Sequence, residues 1–213
     1  MIGKGKSISH GVAALEYDLA KEIDGQAAAT EIARHELYGC TGAEMVQEMK
    51  PYHIDFPNVK NNCLRFEVSP SIEESATFTD ADWAELGNDF MQRMGLANHQ
   101  YIIIRHSGTE SKKEQAHLHI LANRVSLSGE LYRDNWIGKK ATEAANAIAK
   151  ERNFVQSQDI GKVNKAEIKE AMDGVLKKMQ GFDLTKFKEE LGKRGFKVRE
   201  ARASTGKLNG YYV

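Results

Sequence analysis

Apolar and polar residues alternate strictly from Cys63 to Ser69, with Leu64, Phe66 and Val68 on one side and Arg65, Glu67 and Ser69 on the other, which predicts a strand with one polar face. Elsewhere the period is helical. Val12, Leu15, Leu19 and Ile23 recur at three- and four-residue steps and predict a helix over 10–23, capped by Ser9. The alanine-rich stretch 26–38 is expected to be helical as well. Thr41-Gly-Ala-Glu44 reads as a capping box opening a helix that ends before Pro51. Thr79 and Asp82 open another, which carries Trp83, Leu86, Phe90 and Met94 and is closed by Gly95. Tyr101–His106 and 116–125 are strands joined as a hairpin with a long polar tip. Helices are predicted over 139–152, 165–180 and 183–194, followed by a strand at 196–202, a glycine-containing turn and a last strand at 211–213. Helices interspersed with hairpin strands predict an α+β fold, a central antiparallel sheet with helices on one face.

Composition narrows the class of protein. The chain has 213 residues, 41% hydrophobic and 28% charged, and at this length about 70% of the surface is buried on folding, enough for a core without disulfides. Cys40 and Cys63 form no paired motif, so a reducing cytoplasm is expected. No apolar run approaches the length of a membrane span, and the N-terminus has no apolar core after its lysines, so neither a membrane nor a secreted protein is expected. Thirty basic side chains balance thirty acidic ones, but unevenly. Residues 1–137 hold 13 Lys and Arg against 20 Asp and Glu, whereas 138–213 hold 17 against 10. That asymmetry predicts a basic lobe suited to phosphate beside an acidic body.

The chemistry concentrates around three histidines. His117 and His119 flank Leu118 on a predicted strand and therefore project from one face. With His106 ending the first strand of the hairpin and His117 starting the second, all three imidazoles converge. Three neutral imidazoles at one point make a divalent-metal site with positions left open for substrate or water. A lone His-X-His on a strand is more often a surface pair; the third histidine and Asn123 on the same face favour metal. Imidazole suits Mn, Zn, Ni, Co or Fe better than Mg, although availability in the cell often decides. Glu67, on the polar face of its strand, is the expected carboxylate partner of a ligand histidine, with Glu110 and Glu114 as competitors. The N-terminal Gly3-Lys-Gly-Lys-Ser7 lacks the earlier glycine of a phosphate-binding loop.

Three segments resemble plasmid mobilisation relaxases of the HUH endonuclease superfamily. Gly3-Lys-Gly-Lys-Ser-Ile-Ser-His-Gly-Val-Ala-Ala-Leu-Glu-Tyr17 is similar to their first motif, a strand leading to a helix that bears the nucleophilic tyrosine. Tyr101-Ile-Ile-Ile-Arg-His106 with His117-Leu-His119-Ile-Leu-Ala-Asn123-Arg-Val resembles their metal motif. Phe187 to Val198 with Gly210-Tyr-Tyr is similar, more weakly, to their C-terminal helix and hairpin. Two departures stand out: Gly108 occupies a position commonly acidic in the family, and the ten residues between His106 and His117 make a longer insert than usual.

The resemblance implies a single relaxase nuclease domain over 1–213, with 138–213 as a basic, mostly helical C-terminal part and the chain as the N-terminal portion of a longer protein. It also implies a sheet whose face opposite the helices carries the metal site, and strand-specific nicking of single-stranded DNA at an origin of transfer. Tyr17 would attack phosphorus and leave a 5′-phosphotyrosyl enzyme, and a metal on His106, His117 and His119, Mn or Mg in function, would act as Lewis acid. At 100° per residue Tyr17 lies about 140° from Val12, off the apolar stripe. Lys4, Lys6, Asn123, Arg124, Arg199 and Lys207 are the expected DNA contacts, with Lys139, Lys140, Arg194, Lys197 and Trp136 as further candidates. Accessory mobilisation and secretion-coupling proteins are expected partners, and no membrane. The alternatives are a rolling-circle replication initiator, disfavoured because its tyrosine usually follows the histidines, and a non-catalytic metal-stabilised module that binds single-stranded DNA.

Overall fold

A computed structural model of the chain describes residues 1–108 and 115–213, which form two compact units, Met1–Ser157 and Gln158–Val213. In the first unit the chain runs through β1 (Ile2–Ile8), α1 (Gly11–Leu19), β2 (Glu22–Ile23), β3 (Gln26–Ala27), β4 (Ala29–His35) and α2 (Gly42–Met49), which is extended by a 3-10 turn (Lys50–His53). Then follow β5 (Cys63–Ser69), α3 (Ile72–Ser75), α4 (Asp80–Arg93), β6 (His99–His106), β7 (His117–Ser126) and α5 (Ile137–Glu151). Among the described residues, five strands form one antiparallel sheet in the order β1-β5-β7-β6-β4. This is the α+β architecture expected from the pattern.

Alternation sorts the side chains between the two faces. Leu64, Phe66, Val68, Ile103, Leu118 and Ile120 join Trp83, Leu86 and Phe90 of α4 and Ala141, Ala145 and Ile148 of α5 in one core. α5 lies directly on β1: a Cβ at Gly3 would stand 2.4 Å from the Ala141 carbonyl oxygen and 2.6 Å from the Ala145 Cβ, so only glycine fits there. On the opposite face, Ile8, Cys63, Ile102, Ile104 and Leu121 pack under Leu15 of α1 and Met45, Val46 and Met49 of α2. The histidines occupy that same face beside this second core. The expected division between helices and histidines therefore holds, with α1 and α2 added over part of the histidine face.

Local signals placed several elements correctly. Thr41 and Glu44 form the capping box of α2, Thr79 and Asp82 that of α4, and Gly95, at φ +73°, ends α4. Two expectations fail near the N-terminus. α1 begins at Gly11 after His10, with no side-chain cap from Ser9, and stops at Leu19. Asp24 and Gly25 both take positive φ, 53° and 73°, the pair that a two-residue hairpin turn requires, so Ile23 belongs to β2 and helix cannot continue. The stretch 26–38 is likewise extended, because β4 pairs with β6 over Ala29–His35 and the gain from closing the sheet overrides the helical preference of alanine.

The second unit holds α7 (Leu184–Lys193), β8 (Arg199–Arg202) and β9 (Leu208–Tyr212), preceded by α6 (Ser157–Leu176). Ala171, Val175, Phe187 and Leu191 form its small core. α5 packs in the first unit, which ends at Ser157. Among the described residues no helix is long and apolar enough to cross a membrane.

Candidate active site

The hairpin of β6 and β7 creates the site. Its register sets His106 opposite His117 and Ile104 opposite His119, so the three rings fall together, with centroids 4.4–5.4 Å apart. One ring nitrogen from each lies within 4.8 Å of the others. His106 Nε2 donates to the Asp18 carbonyl oxygen at 2.8 Å, and His117 Nδ1 to the Gln115 carbonyl oxygen at 3.0 Å. On His119, Nδ1 accepts from Arg65 Nη2 at 3.3 Å, while Nε2 stands 3.0 Å from His117 Nε2. Each ring is thus oriented through a protein partner, as metal-ligating imidazoles are. Burial pushes the His119 imidazole down to about 2, and the charges of His106, His117, Arg65 and Lys4 act in the same direction. His106 is lowered too, chiefly by burial. Neutral imidazoles with lone pairs to offer are the donor set a divalent transition-metal ion takes, so the residues fit one.

Asp18 is a buried carboxylate beside the histidines that the sequence pattern left unnoticed. Its carboxylate is 2% exposed, accepts from Arg65 Nε at 3.1 Å and from Arg65 Nη2 more closely, and lies 3.8 Å from His119 Nδ1. Burial raises its pKa above the ordinary carboxylate value, and Arg65 opposes that rise. The signal was present: Ala14, Leu15 and Asp18 share one face of α1, and a carboxylate among apolar neighbours must find a partner.

The remaining expectations divide. Tyr17 stands next to Asp18 and is 60% exposed, with Lys21 Nζ 5.8 Å from its ring centroid. Glu67 is opposite His119 in the sheet, but its carboxylate is engaged by Lys4 at 2.8 Å. Asp18 is a second carboxylate beside His119, 3.8 Å from its Nδ1. Glu110 and Glu114 lie outside the described residues. Lys4 and Lys6 are exposed and line a cleft of about 210 Å³ with Arg65, Glu67 and His119. Arg199 and Lys207 are exposed in the second unit.

Asn123 and Arg124 are both engaged by groups of the protein itself. Asn123 is wholly buried; its amide accepts from His53 Nε2 at 2.8 Å and donates to Gln100 Oε1 at 3.0 Å. Arg124 holds the Tyr132 and Asn61 carbonyl oxygens and forms an ion pair with Asp134 at 2.6 Å. These partners come from segments distant in the sequence as well as from the adjoining turn.

Sheet and histidines together define a class, that of relaxase nuclease domains. Residues 17–154 match the family described as "Relaxase: MobA/VirD2-like, nuclease domain", and the chain belongs to that family. Among solved structures it is similar to the conjugative relaxase TrwC in complex with oriT DNA. The metal-free TrwC structure is 10% identical with a TM-score of 0.43, and the match covers 97% of this chain and 74% of that one. The metal-bound structure is 12% identical with a TM-score of 0.39 and the same coverage. No curated protein matches the chain.

Proposed function

We propose that this protein nicks one strand of DNA at an origin of transfer by transesterification, with Tyr17 as nucleophile and His106, His117 and His119 as ligands of a divalent cation, Mn or Mg in use. One observation carries the reading: Asp18 ties the tyrosine helix to the histidine cluster, through its carbonyl to His106 and through its carboxylate to Arg65 beside His119. The Tyr17 hydroxyl attacks phosphorus and the bond to the 3′ oxygen breaks. The products are a 5′-phosphotyrosyl enzyme and a free 3′-hydroxyl, and the phenolic proton leaves to solvent from an exposed ring. A bound cation supplies Lewis-acid polarisation and charge neutralisation at the scissile phosphate. When His119 Nε2 serves as a ligand, the ring proton moves to Nδ1, and the hydrogen bond from Arg65 Nη2 gives way to one toward the Asp18 carboxylate, 3.8 Å away. That makes Asp18 the carboxylate partner in place of the acidic residue absent at Gly108.

Lys4 and Lys6 neutralise phosphates in the cleft next to His119, and Arg199 and Lys207 of the second unit contact the DNA backbone without reading bases. The reaction belongs to the cytoplasm, with accessory mobilisation and secretion-coupling proteins as partners. The test uses single-stranded oligonucleotides tiled across the DNA flanking the gene, incubated with Mn or Mg and resolved on a denaturing gel. A protease-sensitive DNA adduct, absent from Tyr17→Phe and His119→Ala, is expected. Tight, salt-sensitive binding to the origin without any adduct would leave a non-catalytic binding module instead.

A further inference from the structure

The two tryptophans sit in opposite environments: Trp83 is 2% exposed in the main core, whereas Trp136 is 80% exposed. Trp136 precedes α5 with φ +59°, in the left-handed region, which a bulky side chain rarely adopts. A strained residue that keeps a large apolar ring in water is not there for packing. Trp136, Lys139, Lys140 and Glu143 line a shallow depression. Lys139 is 72% exposed and only loosely paired with Glu143, at 3.7 Å, while Lys140 donates to the Arg133 carbonyl oxygen at 2.7 Å.

This turn abuts the strand that walls the candidate active site. A methyl group added at Gly138 would lie 3.5 Å from the Gly5 carbonyl oxygen, and Gly5 lines the cleft together with Lys4, Lys6 and His119. An edge strand bearing two exposed lysines therefore links the cleft to the indole. Exposed aromatic rings along a lysine-bearing track are how proteins hold unpaired nucleotides, since every base has a face to stack and every linkage a phosphate to neutralise.

We propose that Trp136 is a stacking platform for a base of single-stranded DNA, with Lys139 meeting the adjoining phosphate. It rests on the DNA-nicking reading above and adds a binding position outside the cleft. Duplex DNA does not fit this platform, because its bases are already stacked on one another.

Intrinsic fluorescence gives a direct test, because the buried Trp83 is shielded and any quenching by DNA reports Trp136. The full chain is titrated with a mixed-sequence single-stranded oligonucleotide at low salt, and affinity is followed in parallel by anisotropy of a labelled copy. Quenching in the wild type is expected. So are about tenfold weaker binding by Trp136→Ala, near-complete retention by Trp136→Tyr, and little quenching by the matching duplex. Binding without quenching, together with unchanged affinity in Trp136→Ala, overturns the platform while leaving DNA binding intact. Equal quenching by the duplex also overturns it, in favour of mere phosphate proximity. Failure of the wild type to bind any single strand sinks DNA binding itself, and the platform with it.

Discussion

On one face of the sheet Leu64, Phe66, Leu118 and Ile120 meet Trp83 and Phe90; on the other, neighbours from the same strands, Arg65, Glu67, His117 and His119, meet Asp18, Lys4 and one another. The apolar face is held by area removed from water, which is non-directional and tolerates a change of shape if volume is kept. The histidine face depends on particular donors meeting particular acceptors, and removing one partner leaves another stranded. The histidines lie on one side of the shared strands, whereas apolar packing serves both sides, because the second core under α1 and α2 adjoins the histidines. The contrast teaches that substitutions one residue apart in sequence should fail in different ways.

The largest effect on stability is expected from the apolar face. Phe66→Ala should lose about 3–5 kcal/mol in urea denaturation, whereas the volume-sparing Ile120→Val should lose only about 1 kcal/mol. Equal losses would mean that this core is not close-packed. Asp18→Ala comes next, at about 3 kcal/mol, because Arg65 is left without its partner while most of its side chain is out of water. The gentler Asp18→Asn should keep the fold but weaken Mn or Co binding about 10–100-fold in calorimetric titration; unchanged affinity would remove Asp18 from the site.

Acid should weaken the fold through its buried histidines. His99, His106 and His119 all have lowered pKa values, mainly through burial, so the unfolded chain takes up protons that the folded chain refuses. Stability is then fully present above the ordinary imidazole value of about 6.5 and falls as pH drops below it toward the folded values. Melting temperatures recorded in a chelator across that range check the sign, and His119→Gln should flatten the curve. Thr41→Ala, which removes the α2 cap, is worth about 1 kcal/mol in the same assay. Smallest is Lys4→Ala: its pair with Glu67 is exposed and adds no measurable stability, but the slope of DNA affinity against salt should drop by about one. An unchanged slope would free the cleft from phosphate binding.

Elements whose signals are local were legible from the chain alone. The alternation of β5 and the capping boxes of α2 and α4 need only a few consecutive residues, and the structure has them where the pattern put them. The histidine cluster was legible for a related reason, since a hairpin converts spacing along two strands into proximity across them. β4 was misread because alanine is silent about its partner, and the decisive Asp24-Gly25 turn lay before the stretch being judged.

The sequence by itself determined which side of each strand a residue faces, because side-chain alternation is a property of the backbone. It also determined that three imidazoles converge. Only the tertiary structure decided what those faces meet. Docking of α1 across β5 brought Asp18 to Arg65, and burial near α2 and its 3-10 turn gave Asn123 its partners there. These are contacts between distant segments, fixed by how whole helices pack, and a short window of sequence carries no direction toward its eventual neighbours.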